Sequence, residues 1–188
     1  MWLTYLKSVT LLPSLFLTAK ADKRKSPAPN VEYSKGVYDN GAGSVSIMEL
    51  YRHYLLNPPK RTARFIWCGS EERGLLGSKA YVQMHKDELE NVKLCVNIDM
   101  IGTIMGSRIA VSTADMSLVH FIDYYGKMVG FPINSSQGVY SSDSTPFADA
   151  GVPAMSFARW TNSDTGRFHC RHDVIEHLSK RILKEDIE

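Results

Sequence analysis

Three cysteines are too few and too oddly numbered for a disulfide framework in a chain of 188 residues. Cys68 and Cys95 fall inside apolar strand patterns and read as buried reduced thiols, while Cys170 sits beside a histidine. Long hydrophobic runs are missing as well. The first nineteen residues are apolar enough to suggest a signal peptide, yet Lys7, Ser8, Thr10 and Pro13 interrupt them, and no stretch is long enough to span a bilayer. Their second half reads better as a strand. An excess of one charge is also absent: a net charge of +2 with no basic half argues against nucleic acid or a membrane surface as partner. The run from Lys20 to Lys25 reads as a solvated loop. Internal repeats and low-complexity linkers are lacking. The compartment stays open, with reduced cysteines tilting it towards the cytoplasm.

What is present is enough apolar content, 44%, to build a core, in a length suited to one domain spanning 1–188 with 1–14 as an uncertain segment. Strand and helix patterns alternate. A helix capped by Asn40 or Ser44 is expected to run to about residue 56, with Val45, Met48, Leu50, Tyr51 and Leu55 as its apolar positions, until Pro58 and Pro59 end it. Strands are expected at 64–68, 92–99, 108–113, 131–139 and 152–158. Helices are expected at 75–90, where Leu76, Ala80 and Met84 share a face, and at 115–129, 146–150 and 174–184. That alternation predicts an α/β fold: a three-layer αβα sandwich whose sheet is mostly parallel and partly mixed.

Acidic residues mark the ends of the extended segments. Residues 65–77, Phe-Ile-Trp-Cys-Gly-Ser-Glu-Glu-Arg-Gly-Leu-Leu-Gly, carry the adjacent pair Glu71 and Glu72 in a glycine-bounded turn between strand and helix. Asp39 lies in Gly36-Val-Tyr-Asp-Asn-Gly-Ala-Gly43, and Asp99 closes the strand Val-Lys-Leu-Cys-Val-Asn-Ile-Asp at 92–99. Open α/β sheets bind ligands beyond the carboxyl ends of their strands. A His-rich turn, Arg167-Phe-His-Cys-Arg-His-Asp173, precedes the last helix. Acids and a histidine gathered at one sheet edge would form a nitrogen-and-oxygen site for zinc, with one carboxylate left over as a base. A pair of glutamates in such a turn is otherwise an ordinary solvated loop.

In order and spacing, these segments resemble the co-catalytic zinc aminopeptidases, whose relatives include glutamate carboxypeptidases and glutaminyl cyclases. The resemblance spans about residues 15–179 and rests on 38–43, 70–78, 97–102, 142–147 and 169–173. It implies that Asp39 bridges two zinc ions, that Glu72 and His169 complete one site, and that Asp99 with an upstream histidine completes the other. Glu71 would be the general base. His169 rather than His172 holds the motif position, with Asp173 as an orienting partner. The family's upstream His-x-Asp aligns with Lys20-Ala-Asp22, so Lys20 stands where a ligand belongs. An ammonium has no lone pair to offer a metal. One tight zinc at Asp39, Glu72 and His169, out of a possible two, is therefore expected, with Asp22 pairing with Lys20 instead of orienting a histidine.

The expected activity is removal of the first residue from a peptide with a free amino terminus. Asp143 reads equally as a helix cap or as a substrate-side carboxylate, and Arg159, Trp160 and Thr161 could line a pocket. Relatives carry more sheet and helix ahead of the first strand, so family elements look to be missing there and exposed apolar surface leaves self-association open. Two alternatives remain: a one-zinc acyl transferase like the glutaminyl cyclases, and a binding domain that keeps the fold without the chemistry.

Overall fold

The computed structural model describes residues 34–160 and 168–188 together with the backbone of the first strand. In chain order the elements are β1 (Ser14–Lys20), α1 (Ala42–Leu56), β2 (Ala63–Cys68), α2 (Leu76–Met84), β3 (Val92–Ile98), β4 (Ser107–Ser112), α3 (Met116–Met128), β5 (Asn134–Gln137), α4 (Thr145–Asp149), β6 (Ala154–Trp160) and α5 (Lys180–Ile187). The six strands form one sheet in the order β2-β1-β3-β6-β4-β5. β2, β1, β3 and β6 run parallel. β4 pairs antiparallel with β6, and β5 follows β4 in parallel, which makes the sheet mixed.

Strand periodicity divides the core in two. Ile66 and Cys95 face a cluster with Leu89, Phe147, Val152, Tyr81 and Val82, under α2 and α4. Phe65, Val96 and Ile98 face the other way, to Ala42, Ile47, Ile101, Leu50 and Leu183, under α1 and α5. Helix, sheet, helix is the expected layering.

Two helices are rotated from the faces their apolar spacing predicts. In α1, Val45, Met48, Tyr51 and Leu55 are exposed, while Ala42, Ser46 and Ile47 are buried. A Cβ on Gly43 would lie 2.4 Å from the Ile98 carbonyl oxygen, so α1 meets β3 backbone to backbone and its small residues set the packed face. In α2, Leu76, Ala80 and Met84 point outward and Ser78, Tyr81 and Val82 inward. Here a Cβ on Gly77 would lie 2.5 Å from the Gly69 carbonyl oxygen, which docks the first turn of α2 on the end of β2.

Several boundaries also move. The helix expected over 75–90 stops at Met84 and continues as a 3₁₀ segment, Lys86–Asn91. At the break His85 stacks on Tyr81 with ring centroids 4.3 Å apart, and its Nδ1 lies 2.9 Å from Glu88, which also pairs with Arg64. The final helix starts later than expected because the Ser179 hydroxyl accepts from the Ile182 N–H and caps it. Asp115, where a helix was expected to begin, caps α3 by accepting from the Ser117 N–H at 2.8 Å. No helix among the described residues is long and apolar enough to cross a membrane.

Candidate metal centre

Because β1, β2, β3 and β6 are parallel, their carboxyl ends share one edge, and the segments that leave them carry the acids and the histidine. Glu71 and Glu72 lie in a 3₁₀ turn, Glu71–Arg73, just after β2. Asp39 precedes α1, Asp99 directly follows β3, and His169 lies downstream of β6.

The geometry then brings three of them together. His169 Nε2 lies 2.6 Å from Asp39 Oδ2 and 2.6 Å from Glu72 Oε1. Among the described residues these three form a group whose ligand atoms all fall within 4.8 Å of one another. A single N–H shared between two carboxylates makes weaker bonds to each, whereas one cation held by the nitrogen and both oxygens would satisfy all three. Two carboxylates and an imidazole are a donor set suited to zinc. The His169 ring is steadied edge-on by Phe168 at 4.5 Å, and Phe168 packs against Trp160 at 5.9 Å.

Backbone strain gathers here too. Ser70, Met100 and His169 have φ of 57°, 53° and 60°, a left-handed conformation that costs a non-glycine residue on the order of 1 kcal/mol. Each of the three is, or adjoins, a predicted site residue.

Asp99 is buried, and its Oδ2 accepts from the Ser142 hydroxyl at 2.6 Å. It lies beside the trio rather than in it. Asn40 connects the two regions: its Nδ2 donates to the Ile98 carbonyl at 2.8 Å, and its Oδ1 accepts from the Met100 N–H at 3.3 Å, so it brackets Asp99 from both sides. The same Oδ1 accepts from the Gly43 N–H at 2.9 Å, although the N-cap of α1 is Gly41 rather than the expected Asn40 or Ser44.

Tyr140, which the sequence reading did not single out, lies near these acids, its hydroxyl 3.9 Å from the sulfur of Met100, the residue after Asp99. Burial pushes its hydroxyl far above the usual phenol range, and the surrounding Asp99, Tyr38, Asp39 and Glu71 push it further. Its place three residues before Asp143 was the available signal.

The remaining expectations fare differently. Asp143 is fully buried and does not cap α4, whose N-cap is Ser144. Asp143 instead acts on Cys68, whose thiol is pushed up first by burial and then by that charge. Asp173, expected to orient His169, turns to the Asp39 loop: its Oδ1 accepts from the Tyr38 N–H at 2.6 Å and its Oδ2 from the Asp39 N–H at 3.1 Å. His172 is exposed and its carbonyl lies 2.7 Å from His177 Nδ1. Arg159 lines no pocket, since its guanidinium is buried against Asp186 at 3.1 Å and the Gly106 carbonyl at 2.8 Å. Lys20 ends β1 opposite Cys68 of β2. Asp22 and Thr161 lie outside the described residues.

Residues 14–186 match Peptidase family M28. The chain belongs to that peptidase family. Among curated members, "Aminopeptidase YwaD" of Bacillus subtilis is 33% identical over 166 residues, which cover 83% of this chain and 36% of that protein. Among solved structures, the zinc aminopeptidase BSAP of Bacillus subtilis superposes with a TM-score of 0.81 at 28% identity, covering 96% of this chain and 45% of that one. A glutaminyl cyclase from an Acidobacteriales bacterium shares the peptidase fold at a TM-score of 0.78 and 18% identity, covering 93% of this chain and 66% of that one. The chain thus spans less than half the length of the two aminopeptidases.

Proposed function

We propose that this chain carries a zinc aminopeptidase site in which Asp39, Glu72 and His169 hold one tightly bound zinc ion and Glu71 is the general base. The carrying observation is the convergence of two carboxylate oxygens on His169 Nε2 at 2.6 Å each. Family membership and the aminopeptidase relatives support the same reading. Zinc bound there would acidify water and polarise a peptide carbonyl.

The chain's own groups do the rest. Glu72 lies against His169, while its neighbour Glu71 shares the same 3₁₀ turn and is half-buried. Glu71 takes a proton from the attacking water and returns it to the departing amine. Asp99 and Asp143 supply negative charge for the substrate's free ammonium. Asp99 would also take part in a second, weaker metal site, with Lys20 at the end of β1 in the place of its histidine. The substrate is a peptide with a free amino terminus.

The test is Glu71→Gln assayed with Leu-first and Gln-first peptides. Turnover of the Leu-first peptide should fall at least about 100-fold while bound zinc is unchanged. Unchanged turnover with zinc in place sinks the assigned base, and cyclisation of the Gln-first peptide alone favours an acyl transferase. Elemental analysis of dialysed protein should give about one zinc per chain, rising towards two in Lys20→His; two tightly held ions in the native chain refute the one-metal reading.

A further inference from the structure

We propose that Asp173 is the positioning residue that locks the Asp39 loop to the His169 turn and so sets the affinity for metal. This rests on the reading of Asp39, Glu72 and His169 as zinc ligands.

Asp173 lies four residues after His169 and is 1% exposed. Its own N–H donates to the Cys170 carbonyl at 3.2 Å, which closes the turn that presents the histidine. Its side chain leaves that turn and accepts from two successive backbone N–H groups across the site, those of Tyr38 at 2.6 Å and Asp39 at 3.1 Å. One short segment therefore supplies one ligand and holds the backbone of another. A second tie keeps Tyr38 in register, because its hydroxyl donates to the Arg159 carbonyl at 2.6 Å near the end of β6.

The chemistry explains why a carboxylate occupies this place. Two adjacent donors need two acceptor atoms on one side chain. An amide offers one oxygen, and its nitrogen would face an N–H. Burial opposes the charge, and the two N–H bonds offset part of that cost.

The experiment is zinc titration against a chelating dye for the native chain, Asp173→Asn, Asp173→Ala and Ser112→Ala, with thermal melts of each. Ser112→Ala is the control for loss of a buried hydrogen bond away from the ligands, since its hydroxyl donates to the Ala154 carbonyl at 2.9 Å and accepts from the Ala114 N–H at 3.0 Å. Both Asp173 variants should still saturate with zinc but bind it at least about tenfold more weakly, Asn less affected than Ala. Ser112→Ala should melt earlier with its zinc affinity unchanged. A zinc Kd for Asp173→Asn within twofold of native overturns the proposal while leaving the metal site standing. A folded native chain that takes up no zinc removes both. If Asp173→Ala does not fold, the near-isosteric Asn variant decides.

Discussion

His169 Nε2 has a carboxylate oxygen at 2.6 Å on each of two sides, and such a contact reports on the chemistry of single groups. Most charged pairs among the described residues are different. Glu88 is held well below the usual carboxylate range by its hydrogen bonds to His85 and then Arg64, yet its side chain is 47% exposed, so water screens much of the gain. A carboxyl depressed on folding stabilises above its unfolded value, near pH 4.3, and that contribution fades as pH falls through the lower folded value. Glu88→Gln should therefore cost less than about 1 kcal/mol at pH 7 and almost nothing near pH 2. Melts at both pH values check it, and an equal cost at both contradicts the sign.

Contacts between glycine and backbone, rather than the count of apolar positions, orient the helices. Close approach of Gly43 to Ile98 and of Gly77 to Gly69 turns small residues to the sheet and leaves large apolar ones outside. In α1 the consequence is sharp for two neighbours: Ile47 is fully buried and Met48 is 57% exposed. Ile47→Ala should cost about 2–5 kcal/mol, whereas Met48→Lys should stay within about 0.5 kcal/mol. Chemical denaturation of both variants distinguishes them, and a large loss for Met48→Lys would restore the face predicted from spacing.

Across the whole molecule, a buried ionic cluster fastens the carboxyl-terminal helix to the site edge of the sheet. Asp186 accepts from Arg159, from Arg108 at 2.7 Å and from the Gly102 N–H at 3.0 Å. Gly102 lies just beyond Asp99, and the Arg159 carbonyl holds Tyr38, so α5 supports both acidic loops at a distance. Removing one partner of a buried pair leaves the other charge uncompensated. Asp186→Asn should cost about 3 kcal/mol, read as a lower denaturation midpoint. A loss below about 1 kcal/mol would show that α5 is only loosely docked.

The sequence by itself determined the alternation of strands and helices and the layering, and it placed the candidate site residues at the strand ends. Each of these is written locally, in periodicity, in caps such as Asp115, and in acids placed where strands end. It could not determine which helix faces pack, because Gly43 and Gly77 act through the backbone of strand ends distant in the chain. Nor could it assign Asp173, Asn40 or Tyr140 their partners, which lie up to 135 residues away. Only the tertiary structure decided these, since a hydrogen-bond partner or a close approach is a fact of three-dimensional distance that no local pattern encodes.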